Sequence, residues 1–175
     1  MAFIDLMKEK ARQNRKTIVL PESEDQRTLT AAAQILKEGT ADLILVGNAE
    51  TIKKDAAALN ADIEGVKIVD PETDPKFDHY AETLFKLREK KGMTLEKATA
   101  TLKSDLITYG VMMVKEGDAD GLVAGACHAT ADTLRPALQI LKTAPGTELV
   151  SGFLSWTFPT ANTAPTVPSC LQTAA

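Results

Sequence analysis

The residues best suited to chemistry fall in one stretch, GLVAGACHATADTLRPALQ, residues 121–139. An apolar run ends in the small residues Gly125, Ala126 and Cys127, and a helix opens near Thr130. Small residues let a ligand approach the backbone, and the N–H groups of a first helical turn point outward with the positive end of the helix dipole. Thr130 and Thr133 add hydroxyl groups and His128 an imidazole. Arg135, one turn in, adds a guanidinium fork that could hold a phosphate in bidentate fashion. The combination reads as an anion site. Taken alone, the pattern favours an ordinary βα turn with a solvated arginine.

Two further loops carry cations. In PESEDQR, residues 21–27, Arg27 sits in the first turns of a helix, where a cation is mildly unfavourable and an anionic partner would explain it. Pairing with Glu24 or with solvent is the plainer alternative. In LFKLREKKG, residues 84–92, Arg88 adjoins Lys86, Lys90 and Lys91 at a helix C-terminus. Basic residues complement the dipole there in any case. Cys127 has no general base fixed beside it except His128, so it reads as a buried, unreactive thiol. His79 lies among polar residues and reads as a surface side chain. The sequence contains no metal-ligand spacing, no Walker loop and no G-x-G-x-x-G.

These loops need elements to position them. Phe3–Arg15 has Phe3, Ile4, Met7 and Ala11 on one helical face. Lys16–Leu20 is a short β-branched run stopped by Pro21, which predicts a buried strand. Ser23 with Gln26 three residues on fits a capping box for a helix over Asp25–Glu38, ended by Gly39. Ala41–Val46 and Val66–Val69 read as the next two strands, with a helix over Ala49–Leu59 between them. Phe77–Lys91 follows as a helix with Tyr80, Leu84 and Leu87 in register, then a shorter one over Thr94–Leu102. Ser104 is placed to cap a helix over Asp105–Glu116, with Leu106, Ile107, Val111 and Val114 inward. Gly121–Ala124 forms a fourth strand, and Thr130–Lys142 the last helix. This alternation predicts a parallel sheet wrapped by helices, an α/β/α domain. Ligands in such sheets collect outside the carboxyl ends of the strands, where the three loops lie.

Composition narrows the class. The chain has 175 residues, 20 Lys and Arg against 24 Asp and Glu, a net charge of −4 and 44% apolar residues. That suits one globular α/β domain and excludes wholesale disorder. Mild acidity argues against nucleic acid as the main partner. No apolar run approaches the roughly 20 residues that span a bilayer, and the N-terminus lacks a secretory h-region. Two cysteines, Cys127 and Cys170, give no disulfide framework and suit a reducing cytoplasm.

In combination, LPESEDQRTL (20–29), ADLILVG (41–47), LREKKG (87–92) and GLVAGACHATADTLRPALQILKT (121–143) closely resemble the N-terminal part of the phosphate acetyltransferase family. The likeness covers about residues 1–154. It implies the incomplete first domain, residues 1–148, of a two-domain protein with an isocitrate/isopropylmalate dehydrogenase-like arrangement and a cleft between domains. Residues 149–154 would begin the following strand. The implied reaction is acetyl transfer between coenzyme A and inorganic phosphate, with acetyl-CoA as substrate, no permanently bound cofactor and no metal. Phosphate butyryltransferase shares the scaffold. A non-catalytic anion-binding or structural remnant is the other alternative. By the same resemblance Arg135 and Arg88 bind the anionic substrates, and the Cys127–Thr130 turn lines the cleft. Ala129 stands where the family has Ser. The base acting on the CoA thiol would be an aspartate in a C-terminal part, so these residues alone would be inactive. Full-length members would be homodimers with small-molecule partners, without nucleic acid or membrane.

The 27 residues after Glu148 contain no Asp, Glu, Lys, Arg or His. The segment SWTFPTANTAPTVPSCLQTAA, residues 155–175, resembles nothing in that family. Read one nucleotide out of frame with third bases free, it permits MDFPDCEYGADGTFLFADCG, which is similar to the family's continuation. The expectation is a frameshift just after Leu154; a genuine Thr/Pro/Ala tail is the alternative.

Overall fold

The computed structural model describes residues 3–148 and 150. The expected strand at 149–154, the segment 155–175 and Cys170 lie outside the described residues, Val150 excepted. Four strands, β1 (Thr17–Leu20), β2 (Asp42–Val46), β3 (Lys67–Val69) and β4 (Gly121–Leu122), form one parallel sheet in the order β3-β2-β1-β4. Its helices are α1 (Phe3–Gln13), α2 (Gln26–Glu38), α3 (Ala49–Ala58), α4 (Phe77–Arg88), α5 (Leu95–Ser104), α6 (Leu106–Lys115) and α7 (Thr130–Ile140). A short 3₁₀ turn, Glu89–Lys91, continues α4 until Gly92 ends it in the left-handed region.

Burial explains the strand composition. In β2, Leu43 and Leu45 point into a cluster with Leu29, Ala32, Ile52 and Ala56, beneath α2 and α3. Ile44 and Val46 point the other way, with Val19 and Val69, into a larger cluster beneath α4 to α7. A strand buried on both faces must be apolar at successive positions, which is why ADLILV lacks alternation. The result is the expected three-layer parallel α/β/α fold.

The sheet reverses direction of growth at β1: β2 and β3 lie on one side and β4 on the other. The crevice between the ends of β1 and β4 is therefore a switch point, where the loops after the two strands diverge. Gly110 lets α6 lie close over this pair. A β-carbon there would stand 2.7 Å from Leu122 Cδ1 and 3.0 Å from Val19 Cγ1.

Several local expectations change. The N-cap of α2 is Asp25, which accepts from the Arg27 N–H; Ser23 is buried and donates to the Val46 carbonyl at 2.7 Å. Asp105, not Ser104, caps α6, accepting from Ile107 and Thr108 N–H, while Ser104 bonds back to the Ala100 carbonyl. The apolar side of α1 is exposed, and the helix is held to the end of α2 by Lys8 and Arg12, which donate to Glu38. Tyr80 and Leu84 of α4 are buried as expected, but Leu87 is exposed.

Candidate active site

The loops following β1 and β4 meet at the switch point through Glu22. This side chain is 2% exposed, and both carboxylate oxygens accept hydrogen bonds. Gly125 and Ala126 N–H donate to Oε2, each at 2.7 Å; Cys127 and His128 N–H donate to Oε1, each at 3.0 Å. The His128 ring reaches the same Oε1 through Nδ1 at 2.8 Å. Burial alone would raise the Glu22 carboxyl. The N–H groups of Ala126 and Cys127, the His128 ring and the Gly125 N–H outweigh it and hold the group lowered to about 2.

Four successive N–H groups turned onto one carboxylate form an anion-binding nest. The turn expected to meet a ligand with its backbone thus already has an internal anion. Gly125, at φ +107°, makes the turn possible in a conformation that side-chain-bearing residues rarely adopt.

Arg27 works on the same turn from the opposite direction. Its fork pairs with Asp25, Nε to Oδ1 at 3.0 Å and Nη2 to Oδ2 at 2.6 Å, and Nη2 also donates to the Ala126 carbonyl. Asp25 is accordingly held at about 2 by the Arg27 side chain first. The partner of Arg27 is Asp25 rather than Glu24, and the arginine tethers the turn.

Beyond the turn lies an open cavity of about 530 Å³ between the start of α6 and one side of α7. His128 and Arg135 line it, together with Glu24, Asp105 and Asp132. Arg135 is exposed, 3.8 Å from Asp132, one helical turn away. Its guanidinium is therefore paired loosely within its own helix. Thr130, Arg88 and Arg27 are not among the lining residues. Thr130 is the first residue of α7, and Arg88 ends α4. The structure thus groups His128 with Arg135 and holds Arg27 at the adjoining turn.

Cys127 is exposed, against the expectation of burial. Local desolvation and the carboxylates of Glu24 and Glu22 push its thiol up to about 11, so it is a poor nucleophile at neutral pH. Its Sγ, the His128 ring and Glu22 lie close enough to suggest a metal cluster. The fit is poor: five N–H donors occupy the two Glu22 oxygens, leaving little lone-pair capacity for an ion. His79 is on the surface as expected and pairs with Glu116 at 2.8 Å.

Glu22 is the residue that sequence reasoning passed over. The available signal was an acidic side chain two residues beyond a buried strand, on the loop already singled out for Arg27.

A family model described as phosphate acetyl/butaryl transferase matches residues 2–166. The chain belongs to that family. It is 57% identical over 153 residues to the phosphate acetyltransferase of Thermoanaerobacterium thermosaccharolyticum, covering 87% of this chain and 46% of that protein. To the phosphate acetyltransferase of Acetivibrio thermocellus it is 54% identical over 159 residues, 91% of this chain and 47% of the relative. The chain spans about half the length of these curated relatives. Among solved structures, the EutD phosphotransacetylase from Staphylococcus aureus superposes with a TM-score of 0.80 at 36% identity, over 91% of this chain and 49% of that one. A phosphotransacetylase from Streptococcus pyogenes gives 0.81 at 38% identity, over 89% and 48%.

Proposed function

We propose that the chain carries the first α/β domain of a phosphate acetyltransferase, which exchanges acetyl between coenzyme A and phosphate: acetyl-CoA + phosphate ⇌ acetyl phosphate + CoA. The observation that carries this reading is the pairing of His128 and Arg135 on one cavity at the switch point of the sheet. Both substrates are polyanions, and acyl transfer between thiolate and phosphate places negative charge on the carbonyl oxygen. Guanidinium and imidazolium groups stabilise such charge without redox chemistry. Arg135 is the principal anion ligand, His128 and Thr130 assist, and Arg88 meets the second anionic substrate. Arg27 acts by holding the turn.

We place this domain in an isocitrate/isopropylmalate dehydrogenase-like pair whose second domain closes the cleft and supplies an aspartate base for the CoA thiol. These 175 residues alone are then expected to bind phosphate but to turn over little or no acetyl phosphate. Full-length members would be cytoplasmic homodimers. The test is calorimetric titration of the chain with inorganic phosphate and with CoA, in wild type and Arg135→Ala. Saturable phosphate binding lost in the variant supports the reading, and unchanged binding overturns the role of Arg135. Appreciable thioester formation by the 175 residues would refute the need for a second domain.

The family description covers butyryl as well as acetyl transfer. Chain-length preference, measured with acetyl-CoA and butyryl-CoA on a protein extended to family length, separates these. We also propose that residues 155–175 arise from a frameshift after Leu154. The family match runs on to residue 166, twelve residues beyond the expected end of the likeness at about Leu154, which counts against a break at that point; the coding DNA is the deciding observation. Codons unable to yield the displaced reading would sink the idea.

A further inference from the structure

We propose that Glu22 is the positioning residue of this cleft: its buried carboxylate fixes the Gly125–His128 turn and the His128 ring so that Nε2, rather than Nδ1, is the imidazole atom available to an anionic ligand. The proposal rests on the anion-cleft reading for the ligand alone. The geometry between Glu22 and His128 stands without it.

A carboxylate that receives four backbone N–H groups is ionised and offers only lone pairs. Nδ1 of His128, 2.8 Å from Oε1, must therefore carry a proton and donate it. The ring is then committed at one nitrogen, and its side chain remains 40% exposed where it lines the cavity. Nε2 is the nitrogen left for a ligand. Because the neighbouring His128 N–H donates to the same oxygen, backbone and ring are fixed by one group. A shift in Glu22 would move both.

The surroundings decide what Nε2 offers. Glu22 and Glu24 come from the loop after β1, and Asp105 from the cap of α6. Cys127 Sγ lies 3.5 Å from Nδ1, and Asp132 and Arg135 of α7 line the same cavity. The acidic groups outnumber the one guanidinium, and the hydrogen bond to Glu22 is the main cause that raises His128 above its ordinary value. The protonated ring presents Nε2–H as a donor to phosphate beside Arg135. The neutral ring presents a lone pair, which repels the same ligand. Phosphate binding should consequently strengthen as pH falls through the His128 transition.

The chain has only two histidines, so both rings can be followed by nitrogen-15 NMR in the full 175-residue protein. At high pH, wild-type His128 is expected as the Nδ1–H tautomer. Glu22→Gln should lower the midpoint of the His128 titration, because the hydrogen bond that raises it is weakened, and leave the His79 signals in place. It should also move the His128-linked step in inorganic phosphate affinity to lower pH by the same amount, on top of the second ionisation of phosphate itself, which is common to both proteins. Arg135→Ala should weaken phosphate binding at every pH without altering the His128 tautomer. An Nε2–H tautomer in the wild type, or an unmoved midpoint in Glu22→Gln, overturns the proposal. Should Glu22→Gln fail to fold, the wild-type tautomer decides alone. If phosphate binds to no form of the chain while tautomer and midpoint behave as stated, the anion reading fails and the positioning role of Glu22 stands.

Discussion

His128 donates to Glu22 twice, through its backbone N–H at 3.0 Å and its ring Nδ1 at 2.8 Å, across 106 residues of chain. The main chain and the side chain of one residue are thus referred to a single buried carboxylate. Whatever perturbs that carboxylate changes the shape of the β4 loop and the chemistry of its imidazole together.

Replacing Glu22 by Ala should therefore destabilise the fold more than a surface substitution would. It leaves the N–H groups of residues 125–128 without their acceptor, with an expected loss on the order of 3 kcal/mol. Urea denaturation of wild type and variant measures it. A loss within 0.5 kcal/mol, roughly that of a neutral surface change, would contradict the account.

The pH profile of stability follows from the same pair. Glu22 has an ordinary value of 4.5 and is lowered to about 2 in the folded chain. Its contribution, about 3 kcal/mol, is complete above the unfolded value and disappears as pH falls from about 4.5 towards 2. His128 moves the other way. Its contribution is complete below its ordinary value of 6.5 and is lost as pH rises through the raised folded midpoint. Denaturant midpoints should accordingly fall on both the acid and the mildly alkaline side of a maximum between these limits. A flat profile from pH 5 down to 2 would remove Glu22 from the argument.

Cys127 should alkylate slowly despite its exposure. With the thiol pushed up to about 11, the thiolate fraction near pH 7.5 is on the order of 100-fold below that of a free cysteine. Iodoacetamide labelling of a Cys170→Ser chain, followed by mass spectrometry, reads this rate. Glu24→Gln should accelerate it, and labelling at the free-cysteine rate would count against the carboxylates.

Gly110→Ala should be destabilising even though Ala is the better helix former. The added β-carbon would press on Val19 Cγ1 and Leu122 Cδ1, and Val19 is fully buried. Overpacking there should exceed the helical gain of about 1 kcal/mol, for a net loss of about 1–2 kcal/mol. Thermal unfolding monitored by circular dichroism tests the sign.

Asp132→Asn should strengthen phosphate binding. It frees Arg135 from an exposed carboxylate 3.8 Å away. Exposed pairs of this kind are worth roughly 0.2–1 kcal/mol, so a gain of about threefold is expected by calorimetry at low ionic strength. Weaker binding would mean that Asp132 orients Arg135 rather than competing for it.

The layers of the fold were legible because burial leaves a plain record in composition. ADLILV could only be a strand covered on both sides, and Gly39 and Gly92 end their helices in the left-handed conformation. The caps differ from the sequence expectation, which has Ser23 opening α2 and Ser104 opening α6. Ser23 and Ser104 both have the right chemistry, but their hydroxyls donate to the Val46 and Ala100 carbonyls, while Asp25 and Asp105 stand in extended backbone and accept from the first turns. Arg135 and His128 could be singled out from residue type and their position after a strand. The position of Glu22 just beyond a buried strand was legible, but its role was not, because that role depends on β4 pairing with β1 and local sequence holds no trace of that pairing. The same long-range contact brings two carboxylates to Cys127 and governs its reactivity.

The brevity of β4 has a bearing on when the cleft comes into being. Two residues, Gly121 and Leu122, pair with β1, and the Glu22 contacts follow immediately beyond them. The ends of this contact are separated by most of the described chain, and closing so long a loop is entropically demanding and slow. Recognition chemistry would therefore mature late in folding, after the β1–β2–β3 half has formed. The capacity to bind an anion would then report that the last strand has docked.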